Sequence, residues 1–131
     1  MGANKRIVAG SGNFVEIAAG TDESWGWTNP HPGDWIVEAC YFHPMAALTA
    51  HASNNTALSV ENGGTEIATI TTTAGGSGSL TAHTGVAITL TGTGKNLEVS
   101  QGGNLTFKKT DGGSGVAASG QFCVALRRVR L

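Results

Sequence analysis

The chain has 131 residues, 20 of them glycine, with only 13% charged and a formal net charge of −1. That length suits one domain with one core. The low charge excludes an ordinary disordered tail, and the abundance of glycine, threonine, serine and asparagine argues against a helical bundle, a coiled coil or a collagen-like rod. No apolar run approaches the roughly 20 residues that span a bilayer, so neither a transmembrane helix nor a membrane partner is expected.

Residues 1–6 show none of the charged and apolar regions of a secretory leader. They open with Met1-Gly2, but Arg6 stands where myristoylation needs Ser or Thr. They are expected to form an N-terminal arm running into a strand. Strands are predicted at 5–9 and 13–19, on either side of the turn Gly10-Ser11-Gly12-Asn13. Residues 20–34 read as a long loop, because Pro30 and Pro32 exclude a central strand. The most hydrophobic run follows at 35–43, where Trp35, Val37, Ala39, Tyr41 and His43 alternate with Ile36, Glu38, Cys40 and Phe42. It is predicted to be a central, largely buried strand.

The segment 45–50 fits either a short helical turn or a strand and is read as a strand. Residues 56–60 and 65–72 flank Glu61-Asn62-Gly63-Gly64, the best hairpin signal of the chain. The run 74–79 is a flexible loop within one domain, since neither side could fold alone. Further strands are predicted at 86–91, 96–100, 104–109 and 120–130, with Phe122, Val124 and Leu126 on one face of the last. The spacing of these elements predicts an all-β protein: a single antiparallel β-sandwich or jelly-roll-like domain over 1–131.

Charge is divided along the chain, −4 over residues 1–65 and +3 over residues 66–131. Such polarity, with the edge strands that a small sandwich leaves open, suits contacts between copies and the expectation of a homo-oligomer, a trimer favoured, or else two solvated faces. The basic end Arg127-Arg128-Val129-Arg130 is too short for a nucleic-acid surface. Cys40 and Cys123 both lie in apolar strand-like runs and read as buried free thiols, with a disulfide between an early and the last strand left open. The four histidines are scattered without ligand spacing, so no metal and no cofactor is expected. Gly75-Gly76-Ser77-Gly78 and Gly112-Gly113-Ser114-Gly115 lack the Lys-Ser/Thr of a phosphate loop and are read as turns. No carboxylate pair or nucleophile motif stands out, and the chain is not expected to be an enzyme.

One cluster rises above this background: Glu23-Ser24-Trp25-Gly26-Trp27-Thr28-Asn29-Pro30-His31-Pro32-Gly33-Asp34-Trp35, which holds all three tryptophans. Tryptophan concentrates binding energy because a rigid ring covers much area at small entropic cost. The cluster is open to three readings: a loop that plugs one end of the core, a protein–protein contact, or a sugar-stacking surface. The residues singled out for protein contact are Trp25, Trp27 and His31, with Arg127, Arg128 and Arg130 at the basic end.

In its Gly/Thr/Ala-rich character, its hairpin segment Leu58-Ser59-Val60-Glu61-Asn62-Gly63-Gly64-Thr65-Glu66-Ile67-Ala68 and its close, Gly112-Gly113-Ser114-Gly115 followed by Gln121-Phe122-Cys123-Val124-Ala125-Leu126-Arg127, the chain resembles small structural proteins of tailed-bacteriophage virions. The nearest in style are capsid decoration (cement or auxiliary head) proteins. The likeness runs over 34–131 and carries no binding residue across. It implies an all-β, often trimeric protein, made in the host cytoplasm, that sits on the capsid exterior and reinforces contacts between major capsid subunits. The alternative is a tail-fibre or receptor-binding module with Trp25 and Trp27 stacking on a carbohydrate. A small hydrolase with an unrecognised site is the third.

Overall fold

The computed structural model describes residues 5–12 and 14–130; residues 1–4 of the expected arm and Asn13 of the first predicted turn lie outside them. Strand β10 (Ala118–Arg130) follows the period of two directly: Ala118, Gly120, Phe122, Val124 and Leu126 are buried, and the residues between them are half-exposed. It lies at the centre of the first sheet, between β4 (Asp34–Pro44) and, on its other side, β1 (Arg6–Gly10) with β2 (Phe14–Ile17). The far edge of β4 pairs with β7 (Val86–Ile88) and β8 (Glu98–Ser100). The second sheet runs β3 (Glu23–Thr28), β9 (Asn104–Gly112), β5 (Asn55–Asn62), β6 (Thr65–Thr71).

All pairings are antiparallel, and they are nested. The first strands pair with β10, β3 with β9, β4 with β7 and β8, and β5 with β6. Successive pairs alternate between the two sheets, which is a ribbon rolled around its own core, the jelly-roll topology. The core between the sheets holds Phe14, Phe42, Phe107 and Phe122 toward one end and Trp35 and Val99 elsewhere, all buried. The Phe122 ring meets Phe42 edge-on at 5.2 Å and stacks with Phe107 at 5.5 Å, arrangements that favour aromatic pairs.

In β4 the alternation changes phase. Trp35 and Val37 are buried, Glu38 and Tyr41 are exposed, and Cys40 and Phe42 are buried. The cause is a bulge: Ala125 pairs with Ala39 and Leu126 with Val37, so Glu38 has no counterpart. An inserted residue resets which side chains face inward, and a strand that looks apolar on both faces in the sequence thereby presents one face to the core throughout. The β5–β6 hairpin forms as expected, with Leu58 opposite Ile70 and Val60 opposite Ala68. Its two turn residues are Gly63 and Gly64, at φ 58° and 90°, the left-handed pair that a tight hairpin turn requires.

Two expectations need correction. Residues 20–34 are not one long loop, because β3 occupies Glu23–Thr28. The prolines forbid pairing only at 30–32, while Ser24, Gly26 and Thr28 alternate outward with Trp25 and Trp27 inward, the pattern of an edge strand. Nor is 45–50 a strand: only Leu48 is buried there, through an isolated bridge to Leu80, while Ala46 and Ala47 are exposed. The predicted strand at 86–91 ends at Ile88, and the chain then crosses to the second sheet, where the Thr69 N–H donates to the Thr89 carbonyl. At 96–100 a 3₁₀ turn, Gly94–Leu97, precedes β8.

Candidate binding surfaces

Strand β3 brings Trp25 and Trp27 to the open side of the sandwich, half-buried and packed against the core. The Trp25 ring stacks on Phe14 at 4.2 Å and lies 6.0 Å from Phe122. The Trp25 ring therefore covers the gap between β3 and β2, the plugging reading of the cluster, and Trp27, opposite Leu105, packs against the core, each with part of its surface left to solvent.

The turn after β3 is built around Asn29, fully buried and not singled out by the sequence. Its amide nitrogen donates to the carbonyls of Val99 and Ser100, and its side-chain oxygen accepts from the His31 N–H at 3.0 Å. The Asn29 N–H donates to Gly103 O, and its carbonyl accepts from Gly102 N–H at 2.8 Å. On the far side the Trp35 indole donates to Pro32 O, and the Gln101 amide donates to Pro30 O. His31 lies 5.6 Å from the Trp35 ring. Pro30 and Pro32 are exposed on a backbone held at both ends. An Asn directly before Pro, where a strand ends, is the local signal for this motif.

The three arginines of the basic end have partners in their own chain. Arg127 bonds Glu38 at 3.0 Å, and Arg6 reaches the other oxygen of the same carboxylate at 3.2 Å. Arg130 bonds Asp34 at 2.9 Å and also Glu98. Arg128 lies over the Trp35 ring at 5.7 Å, within cation–π range. The charge division along the sequence is thus closed by topology, since basic β10 lies against acidic β4. Arg127 and then Arg6 hold the Glu38 carboxyl below its ordinary range, the Ser100 hydroxyl and then Arg130 do the same for Asp34, and Asp34 and Glu98 raise Arg130.

Lys109 is buried, a position its alternation with Leu105 and Phe107 could have revealed. Its ammonium donates to both oxygens of Asp111, at 2.8 and 2.7 Å, and to the carbonyls of Thr21 and Ala18. Asp111 also accepts from the Gly20 N–H, while its own N–H donates to Asp22. Burial pushes the Asp111 carboxyl up, but the Lys109 ammonium and the other donors outweigh it, and the net shift is downward.

The outer face of the first sheet is apolar at its centre. Val8, Ala125 and Ala39 form one row, Cys123, Tyr41 and Ala87 the next, and Gln121 pairs with His43 beyond them. Val8 is 72% exposed, Tyr41 40% and Met45, beside His43, 48%. Cys40 faces the core, where burial raises its thiol to about 12, while Cys123 is half-exposed on this outer face. Both thiols are free: although their strands adjoin, the two residues lie on opposite faces of the sheet.

His43 and His83 border one shallow groove together with Cys123, while the His51 ring accepts from the backbone N–H groups of Ser53 and Asn54. Among the described residues no three His, Cys, Asp or Glu side chains are grouped to hold a metal ion. A second groove, between β6 and β7, is lined by Thr69, Thr71, Thr73, Ser77 and Thr89 with Val86. Among the described residues no helix is long and apolar enough to cross a membrane. The fold and surfaces together define a jelly-roll β-sandwich with a locked turn and an apolar sheet face. No protein-family model matches the chain, and no curated protein matches it.

Proposed function

We propose that this protein is a structural component of a viral particle that binds the exterior of a capsid and reinforces contacts between major capsid subunits. It works as a homo-oligomer, through protein contact and without catalysis. Support comes from the likeness in style to phage decoration proteins and from the jelly-roll sandwich, an architecture used by viral capsid proteins and by lectins alike. The observation that carries the reading is the turn at 29–34. It is exposed at Pro30 and Pro32, yet fixed from beneath by Asn29, Trp35 and Gln101. A prebuilt contact loses little conformational freedom on docking. Many copies on one shell then stabilise it by mass action.

The test is co-sedimentation with intact tailed-phage capsids stripped of their own decoration protein. Saturable binding that raises the shell's thermal midpoint is expected, as is a loss of at least tenfold, about 1.4 kcal/mol, in a His31→Ala/Pro32→Ala variant. Failure of the parent to bind shells, or undiminished binding by the variant, overturns the reading. The groove between β6 and β7, lined by threonines with Ser77, favours a second reading, a receptor-binding module for neutral carbohydrate. Glycan binding without shell binding would put it first.

A further inference from the structure

The outer face of the first sheet carries three of the four exposed large hydrophobic side chains among the described residues: Val8 and Tyr41 on its strands and Met45 at its border. One end of the face is charged, in two clusters set side by side. Arg6, Glu38 and Arg127, two cations and one anion, centre on β10. Arg130, Asp34 and Glu98, one cation and two anions, lie one strand further across, centred on β4 and ending at β8. Counting these ion-paired side chains, the face is positive on the β1 side and negative on the β8 side, where the Lys95 charge also acts on Asp34, with an apolar field below both.

We propose that this face packs against the same face of a second copy, about a two-fold axis running along the boundary between β10 and β4. Such an axis exchanges left and right across the sheet and preserves position along the strands. It therefore lays the positive cluster of each copy against the negative cluster of the other. It also sets Cys123 against the partner's Tyr41, and it faces Val8 toward the partner's interval between β7 and β8, where residues 37–39 of β4 pair with β10 on one side and with no described strand on the other. Ala39, Ala87 and Ala125 keep the centre low enough for close approach. An isologous contact has to be complementary to itself, and this charge arrangement meets that condition. A partner of uniform charge would oppose one of the two clusters. Each ion already has a partner within its own chain, so covering the face strands no unpaired charge.

The inference rests on the reading of the protein as one that works through protein contact, but its test needs no shell. Sedimentation equilibrium of the free full chain at about 100 μM, in the nanomolar-to-micromolar dissociation regime of ordinary interfaces, is expected to give twice the 13.3 kDa chain mass. Val8→Asp/Tyr41→Glu is expected to give the single-chain mass with unchanged circular dichroism, and Ser24→Asp, on the outer face of the other sheet, the two-chain mass. Should the double variant fail to fold, Arg6→Glu reads the charge clusters alone, with a dissociation constant raised at least tenfold. A single-chain or three-chain parent, or an apolar-face variant that remains paired, overturns the proposal. A monomeric parent whose shell binding is lost in the apolar-face variant assigns the face to the shell instead, and leaves capsid binding standing while removing the homo-oligomer from the functional reading.

Discussion

Moving an ammonium from water into a sheet interior costs several kcal/mol unless its protons are matched. Lys109 matches its protons with Asp111 and two backbone carbonyls of the β2–β3 turn. Removing one partner leaves a buried charge uncompensated, so Asp111→Ala is expected to lower stability by about 3–5 kcal/mol, read from urea unfolding. At protein concentrations low enough that copies are not paired, breaking the exposed Arg6–Glu38 pair should leave the urea midpoint unmoved, because solvent and salt already screen it. Acid sensitivity follows from the same groups. Asp111, Asp34 and Glu38 are all held below their ordinary values of 3.8, 3.8 and 4.5. The unfolded chain then binds more protons than the folded one in acid. Their contribution is complete above those ordinary values and is lost as pH falls through the lowered ones. The thermal midpoint should be flat with respect to these carboxylates from pH 7 to about 5 and fall below pH 4. In Asp111→Asn it should start lower and fall less steeply.

At the scale of elements, β3 and β4 show how one residue type or one insertion decides a face. Trp25 closes the side of the sandwich against Phe14, so Trp25→Ala is expected to cost about 3 kcal/mol, at the lower end for an aromatic truncation because the ring is only half-buried. Chemical denaturation with tryptophan fluorescence from the remaining two indoles measures it. A variant lacking both Trp25 and Trp27 thus reports on core packing before it reports on binding. In β4 the bulge at Glu38 keeps Trp35 and Val37 on the same side as Cys40 and Phe42. Deleting Glu38 should leave Val37, Ala39 and Cys40 in regular alternation opposite Leu126, Ala125 and Val124 and keep cooperative unfolding, whereas inserting one residue after Glu38 should turn either Trp35 and Val37 or Cys40 and Phe42 toward solvent and abolish it. The difference isolates backbone register from the ion pairs that Glu38 makes. The hairpin turn is simpler, since Gly63 and Gly64 both require φ above zero, and the alternating runs beside them already announce the strands.

For the whole molecule, nesting makes each sheet depend on both halves of the chain. Central strands β9 and β10 enter between or beside strands from the first half. Fragments 1–76 and 77–131 are therefore expected to be unfolded alone and to recover β-sheet circular dichroism when mixed. An independently folded fragment would contradict this dependence. Because loop closure precedes most native pairing, folding of the intact chain should fall in the slow, millisecond-to-second range of β topologies or beyond. Stopped-flow refolding measures it.

Period-two alternation and turn chemistry act over a few residues, so the all-β class, the hairpin at 63–64 and the inward row Phe122, Val124, Leu126 could be read without tertiary information. Even Lys109, in phase with Leu105 and Phe107, was locally marked as inward. Its acceptors were not, because Thr21 and Ala18 lie some 90 residues away along the chain. The same separation hid the closure of Arg127 onto Glu38 and of Arg130 onto Asp34, which turned an apparent surplus at each end into paired charge. The β4 phase change depends on where β10 skips a partner, and the partial burial of Trp25 depends on Phe14 arriving from another sheet. Sequence alone determined the all-β class and most of the strand segments, β3 and 45–50 excepted, because these follow from local side-chain spacing. Only the tertiary structure decided which faces, charges and rings remain available for binding, because each is settled by a pairing between distant parts of the chain.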